Sequence, residues 1–129
     1  MPEKRTLERA RKARREGKAP TTQAGEFVHE EIEHIREGKH GARSTKQAIA
    51  IGLSKARRAG VKLSPPRKGT TSARTRKQAE RDLARGKSRK GKRSTKRSRA
   101  VLRALKREGR GAASRASLSR QARSAARKR

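Results

Sequence analysis

Residues 20–60 read PTTQAGEFVHEEIEHIREGKHGARSTKQAIAIGLSKARRAG. They hold seven of the 16 Met, Leu, Ile, Val and Phe side chains in a chain of 129 residues. Val28, Ile32 and Ile35 recur at i, i+4 and i+7, with Ala24 and Phe27 beside them. That spacing predicts one apolar helix face, opened by Thr21 or Thr22 as N-cap, running to about Glu37 and stopped by Gly38. The rest of the helix is acidic (Glu26, Glu30, Glu31, Glu33 and Glu37) and reads as a solvated face. After a short polar connection, Ser44-Thr45-Lys46-Gln47 fits the S/T-x-x-E/Q capping box. The helix it opens runs through Leu53 to a stop at Gly60, with Ile49, Leu53 and Ala56 on one side. Its small Ala and Gly residues would let a partner helix come close. An antiparallel hairpin with the apolar faces together is the expected solution.

Working outward, residues 1–20 read as a charged N-terminal helix over 3–16, ended by Gly17 and Pro20. Residues 61–72 are a linker, because Pro65-Pro66 cannot continue a helix. Residues 73–129 form a basic low-complexity tail with three weak helical stretches, 73–85, 96–108 and 115–128. Their apolar stripes are Ala79 and Leu83, then Val101, Leu102 and Leu105, then Leu118, Ala122 and Ala125. Each stripe holds too few large residues to fold unaided. The expected class is mostly α: a short helical hairpin at 21–60 with the small core, and a tail largely disordered or extended when free.

Charge is as uneven as apolar content. Residues 38–129 carry 32 Lys and Arg against three acidic side chains, which is +29 of the chain's +30. Solubility needs a net charge of only about 2–8 in a small domain. So large a surplus points to a polyanion, and nucleic acid is the commonest linear one. The best-placed side chains are Arg43, Lys46, Lys55, Arg57 and Arg58, then Arg89, Lys90, Lys92, Arg93, Lys96, Arg97, Arg99, Arg103, Lys106 and Arg107. Arg outnumbers Lys, which suits bidentate phosphate contacts. With one Phe and no Trp or Tyr, the stacking platforms of single-strand and sequence-specific RNA binders are missing. This favours duplex DNA held by its backbone, with RNA as the alternative. Ser64-Pro65-Pro66-Arg67-Lys68 resembles the Ser-Pro-basic elements of minor-groove binders, although a plain linker explains it.

The stretch Arg36–Gly60 resembles a family of small basic bacterial proteins known as a domain of unknown function. Lys46–Arg57, Lys-Gln-Ala-Ile-Ala-Ile-Gly-Leu-Ser-Lys-Ala-Arg, matches its recurring core, and residues 20–35 look like the usual upstream part of longer members. The resemblance implies a bacterial, cytoplasmic setting and brings no catalytic residues. The tail is similar to linker-histone tails in composition alone.

Other chemistry finds little support. His29-Glu30-Glu31-Ile32-Glu33-His34 is not H-E-x-x-H; His29 with Glu33, or Glu30 with His34, would share a helix face and supply two ligands at most. Stable zinc sites need three or four, so no metal and no cofactor is expected. Without Cys, and without a constrained Ser/His/Asp set, no enzyme is expected. No apolar run suits a secretory signal or a membrane span. The expected function is non-sequence-specific DNA binding in the cytoplasm, at the nucleoid, by phosphate neutralisation. The alternatives are an RNA- or ribosome-associated basic protein, and a hydrophilic stress or structural protein whose acidic helix binds a protein partner.

Overall fold

Six α-helices and one 3-10 turn make up the computed structural model, which describes residues 2–88 and 95–127. In chain order they are α1 (Lys4–Arg15), α2 (Pro20–Arg36), α3 (Thr45–Arg58), α4 (Ala73–Ser88), α5 (Thr95–Lys106), the 3-10 turn (Gly111–Ala113) and α6 (Arg115–Arg127). The mostly α class is therefore as expected; among the described residues the β-type pairing is an isolated bridge, Lys68 with Thr71.

The caps explain the boundaries. Ser44 Oγ accepts the Gln47 N–H at 3.2 Å and so caps α3, and the Gln47 side-chain oxygen reaches back one residue past the cap to accept the Arg43 N–H at 2.6 Å, a variant of the expected capping box. Ser72 and Ser114 accept the N–H of Thr75 and Ser117 in the same way, starting α4 and α6. At the other ends, Gly17 and Gly38 take φ of +75° and +78°, a backbone region that side chains with a Cβ avoid. The following N–H then reaches back across the last turn, Lys18 to the Ala13 carbonyl and Lys39 to that of His34. One boundary differs from expectation. Pro20 does not merely end α1; it is the first residue of α2, and the Ala19 carbonyl, not Thr21 or Thr22, anchors that helix start. Proline fits there because its missing N–H would have no helical partner anyway.

The chain forms two compact units: one from the described parts of residues 1–30 and 52–91, the other from those of 31–51 and 92–129. In the first unit, Ala10, Ala24, Phe27, Ala56 and Val61 form a buried cluster, joined by partly buried Leu7, Leu53 and Leu63. Hairpin packing is seen here, α2 against α3. A Cβ on Gly52 would lie 2.7 Å from the Val28 Cα, so the two backbones approach as closely as the small residues allow. The core is wider than the hairpin, since α1 supplies Leu7 and Ala10 and the expected linker supplies Val61 and Leu63. Buried Asp82 ties α4 in, accepting the Ser54 hydroxyl at 2.6 Å and the Gln78 amide at 3.2 Å.

In the second unit the connection after α2 is clamped to the tail. The Gly41 N–H donates to the Leu105 carbonyl at 2.8 Å and the Ala42 N–H to the Gly109 carbonyl at 3.1 Å. Thr45 Oγ1 donates to the Ala112 carbonyl, and Arg36 Nε to that of Ala113 at 3.2 Å. Ile35, Ala42, Ala48, Leu105, Ala112 and Ala113 are buried. Of the expected tail stripes, Ala79 and Leu105 are buried, Val101 and Leu102 are exposed, and α6 buries nothing.

Candidate nucleic-acid interface

In the second unit, exposed cations gather on one helix and around two hollows. On α5, Lys96, Arg99, Arg103 and Lys106 follow one another at i, i+3, i+7 and i+10, which places them on one helix face, and all four are exposed. Arg97 and Arg107 are exposed as well. Leu105 lies on a different face, turned inward, so burial of one apolar residue orients the basic stripe outward.

Arg43 and Lys46 stand exposed at the start of α3, on the rim of a cavity of about 780 Å3. Ser44, Ser114, Arg120 and Gln121 also line it, so the N-terminal ends of α3 and α6 both border the same hollow. Helix N-termini carry partial positive charge and favour anions, which adds to the side-chain charge. A second hollow, about 540 Å3, is lined by Arg36, Arg110 and Arg115. Arg36 is partly committed, through its bond to Ala113 and a 3.4 Å contact with Glu33.

The remaining expected residues fare differently. Lys55, Arg57 and Arg58 belong to the first unit. Arg57 is buried: Nε donates to the Leu63 carbonyl at 3.2 Å and an Nη to that of Ser64 at 2.9 Å. Burial pushes its guanidinium below its ordinary value, and the charge of Asp82 works the other way. Its planar fork holds the chain after α3 in place, so it does not stand ready for phosphate as the sequence suggested. Arg58 is half-buried, with Nε 3.8 Å from Asp82 and 3.4 Å from the Ser54 carbonyl. Lys55 is half-buried. Arg89, Lys90, Lys92 and Arg93 lie outside the described residues.

The acidic face of α2 also departs from expectation. Glu30 and Glu31 are buried. Glu30 Oε1 accepts the Glu3 N–H at 2.7 Å and the Thr6 hydroxyl at 3.0 Å, and Glu31 Oε2 lies 3.2 Å from His40 Nε2. Glu30 is structural, because its internal donors offset its loss of water, and Glu31 is held in the interior against His40.

Sequence reasoning missed Arg36, Arg110, Arg115 and Arg120. Arg36-Glu37-Gly38-Lys39 and Arg107-Glu108-Gly109-Arg110 carry a signal, since each is a helix end with cations on both sides of a glycine. Among the described residues, no helix is long and apolar enough to cross a membrane.

The profile of a family of unknown function, DUF6496, matches residues 4–69, thus α1, α2, α3 and the segment after them. No curated protein and no solved structure matches the chain.

Proposed function

The chain belongs to DUF6496, a family that lends it no activity, and we propose that it binds nucleic acid, duplex DNA first, by neutralising phosphates without reading sequence. The observation that carries this reading is the exposed stripe of Lys96, Arg99, Arg103 and Lys106 in the same unit as the cation-lined hollows. Such an array matches a regular line of phosphates and would repel itself without one. The lack of aromatic platforms supports backbone contact with a duplex over stacking on single strands. The action is binding, not catalysis. A bacterial cytoplasm is what the resemblance of Lys46–Arg57 to small basic bacterial proteins implies, and a place at the nucleoid follows from the proposed DNA binding.

The test is a salt titration of binding to random-sequence duplex DNA and to structured RNA. Log affinity should fall linearly with log salt, at about −0.9 per phosphate neutralised on B-DNA. Tighter binding to RNA at matched salt would transfer the function to RNA. No binding to either in dilute buffer would overturn it.

A further inference from the structure

We propose that Glu31, His34 and His40 form a binding site for a divalent transition-metal ion of the zinc class. Glu31 and His34 stand at i and i+3 near the end of α2, and the turn after Gly38 brings His40 back beside them. One ligand atom from each lies within 4.8 Å of the other two. Linear spacing hid this set, since it pairs His29 with Glu33 and Glu30 with His34 and leaves His40 beyond the helix end.

Hydrogen-bond logic identifies what sits between the side chains. His40 Nδ1 is 2.9 Å from the Gly41 carbonyl oxygen. A carbonyl only accepts, so Nδ1 carries the hydrogen and donates it. In the neutral ring, Nε2 then points a lone pair at Glu31 Oε2, 3.2 Å away, and that atom also offers a lone pair. The two side chains are 6% and 0% exposed, so bulk water does not mediate between them. Two buried acceptors facing each other require a cation between them, either a proton or a metal ion.

Three features favour the metal. Two ligands on tetrahedral zinc, each about 2.0–2.2 Å from the ion, lie about 3.3–3.6 Å apart, close to the separation already present. Metal-bound histidines usually donate their second ring N–H to a carbonyl or carboxylate, as His40 does to Gly41. A third donor is in place: the ring of His34 stands at 85° to that of His40, with centroids 6.0 Å apart. His34 is half-buried, which leaves a fourth position for water on its side. Two imidazoles and a carboxylate select zinc, cobalt, nickel or copper over magnesium and calcium. Lys39, Lys106 and Arg110 line the hollow beside His40 against one carboxylate, Glu108, so the surrounding charge does not draw the cation in and its ligands must hold it. Binding displaces the shared proton to solvent.

The experiment uses the full chain, stripped with chelator, in phosphate-free buffer without nucleic acid, so that its outcome is independent of DNA binding. Titration with Co2+ should saturate at one ion per chain, with the strong visible bands of tetrahedral cobalt, and Zn2+ should displace it. Zn2+ should also raise the melting temperature. His34→Ala leaves the His40–Glu31 pair intact and should keep its helical circular dichroism. It should lose more affinity than the about 10–100-fold that removal of an outer-shell partner costs. Absence of saturable uptake, or uptake unchanged in His34→Ala, would overturn the proposal and leave a buried ion pair sharing a proton.

Discussion

Gly52 shows how two opposed local preferences are decided by distance. Alanine in a helix interior is favoured over glycine by about 1 kcal/mol. At this position, however, the added Cβ would sit 2.7 Å from backbone of Val28, which cannot swing away as a side-chain tip could. Overpacking of this kind costs about 1–3 kcal/mol, so Gly52→Ala should lower stability, read as an earlier urea midpoint. Arg57 tests the division between structural and functional cations. Arg57→Lys keeps the charge but loses the fork that holds the Leu63 and Ser64 carbonyls, and leaving buried acceptors unmet costs about 1–3 kcal/mol. The expected result is lower stability with DNA affinity unchanged; reduced affinity at full stability would put Arg57 back in the interface. Its burial was not legible in the sequence, where Arg57 and Arg58 are neighbours of one type. A helix turns them to different sides, and the segment after Gly60 decides which of them is covered.

At the level of elements, α5 separates its roles by face. Replacing Lys96, Arg99, Arg103 and Lys106 together with Gln keeps a good helix former at each position and leaves Leu105 in place. The log–log salt slope for DNA binding should flatten by up to about 3–4, because each lost phosphate contact removes about 0.9. Circular dichroism should stay helical, and an unchanged slope would move the contacts elsewhere. Element positions were largely readable: helices were expected at 3–16, 73–85, 96–108 and 115–128, and α1, α4, α5 and α6 occupy closely similar ranges. Ser44, Ser72 and Ser114 start helices by a local bond within one turn, so distant residues do not alter the signal. Faces were less readable. Ile49, Leu53 and Ala56 were expected inward; Ala56 is buried and Leu53 packs partly buried on the core, but Ile49 is only half-buried while the small Ala48 and Gly52 are buried. Close approach to another backbone rewards small side chains over large ones, and hydrophobicity alone cannot express that.

For the whole molecule, a net charge of +30 must be held by few large apolar side chains. Self-repulsion is then a leading cost of folding, and added salt should help until screening is complete. Near 0.1 M the Debye length is about 10 Å, so melting temperature should rise steeply between millimolar and that ionic strength. A short DNA duplex at low salt should do the same and increase helical circular dichroism; a flat response to both would show that repulsion is already offset within the fold. Composition, charge asymmetry and local caps determined the helical class, where most of the helices begin (α2 excepted), and the cationic character of the tail. They could do so because each depends on neighbours along the chain or on totals. Tertiary structure alone decided that α1 and the segment after α3 share the core of the hairpin, that Glu30, Glu31 and Arg57 are internal, and that His40 stands beside Glu31 and His34. Those outcomes depend on which distant groups supply a donor, an acceptor or a covering surface, and that pairing arises only when separated segments meet.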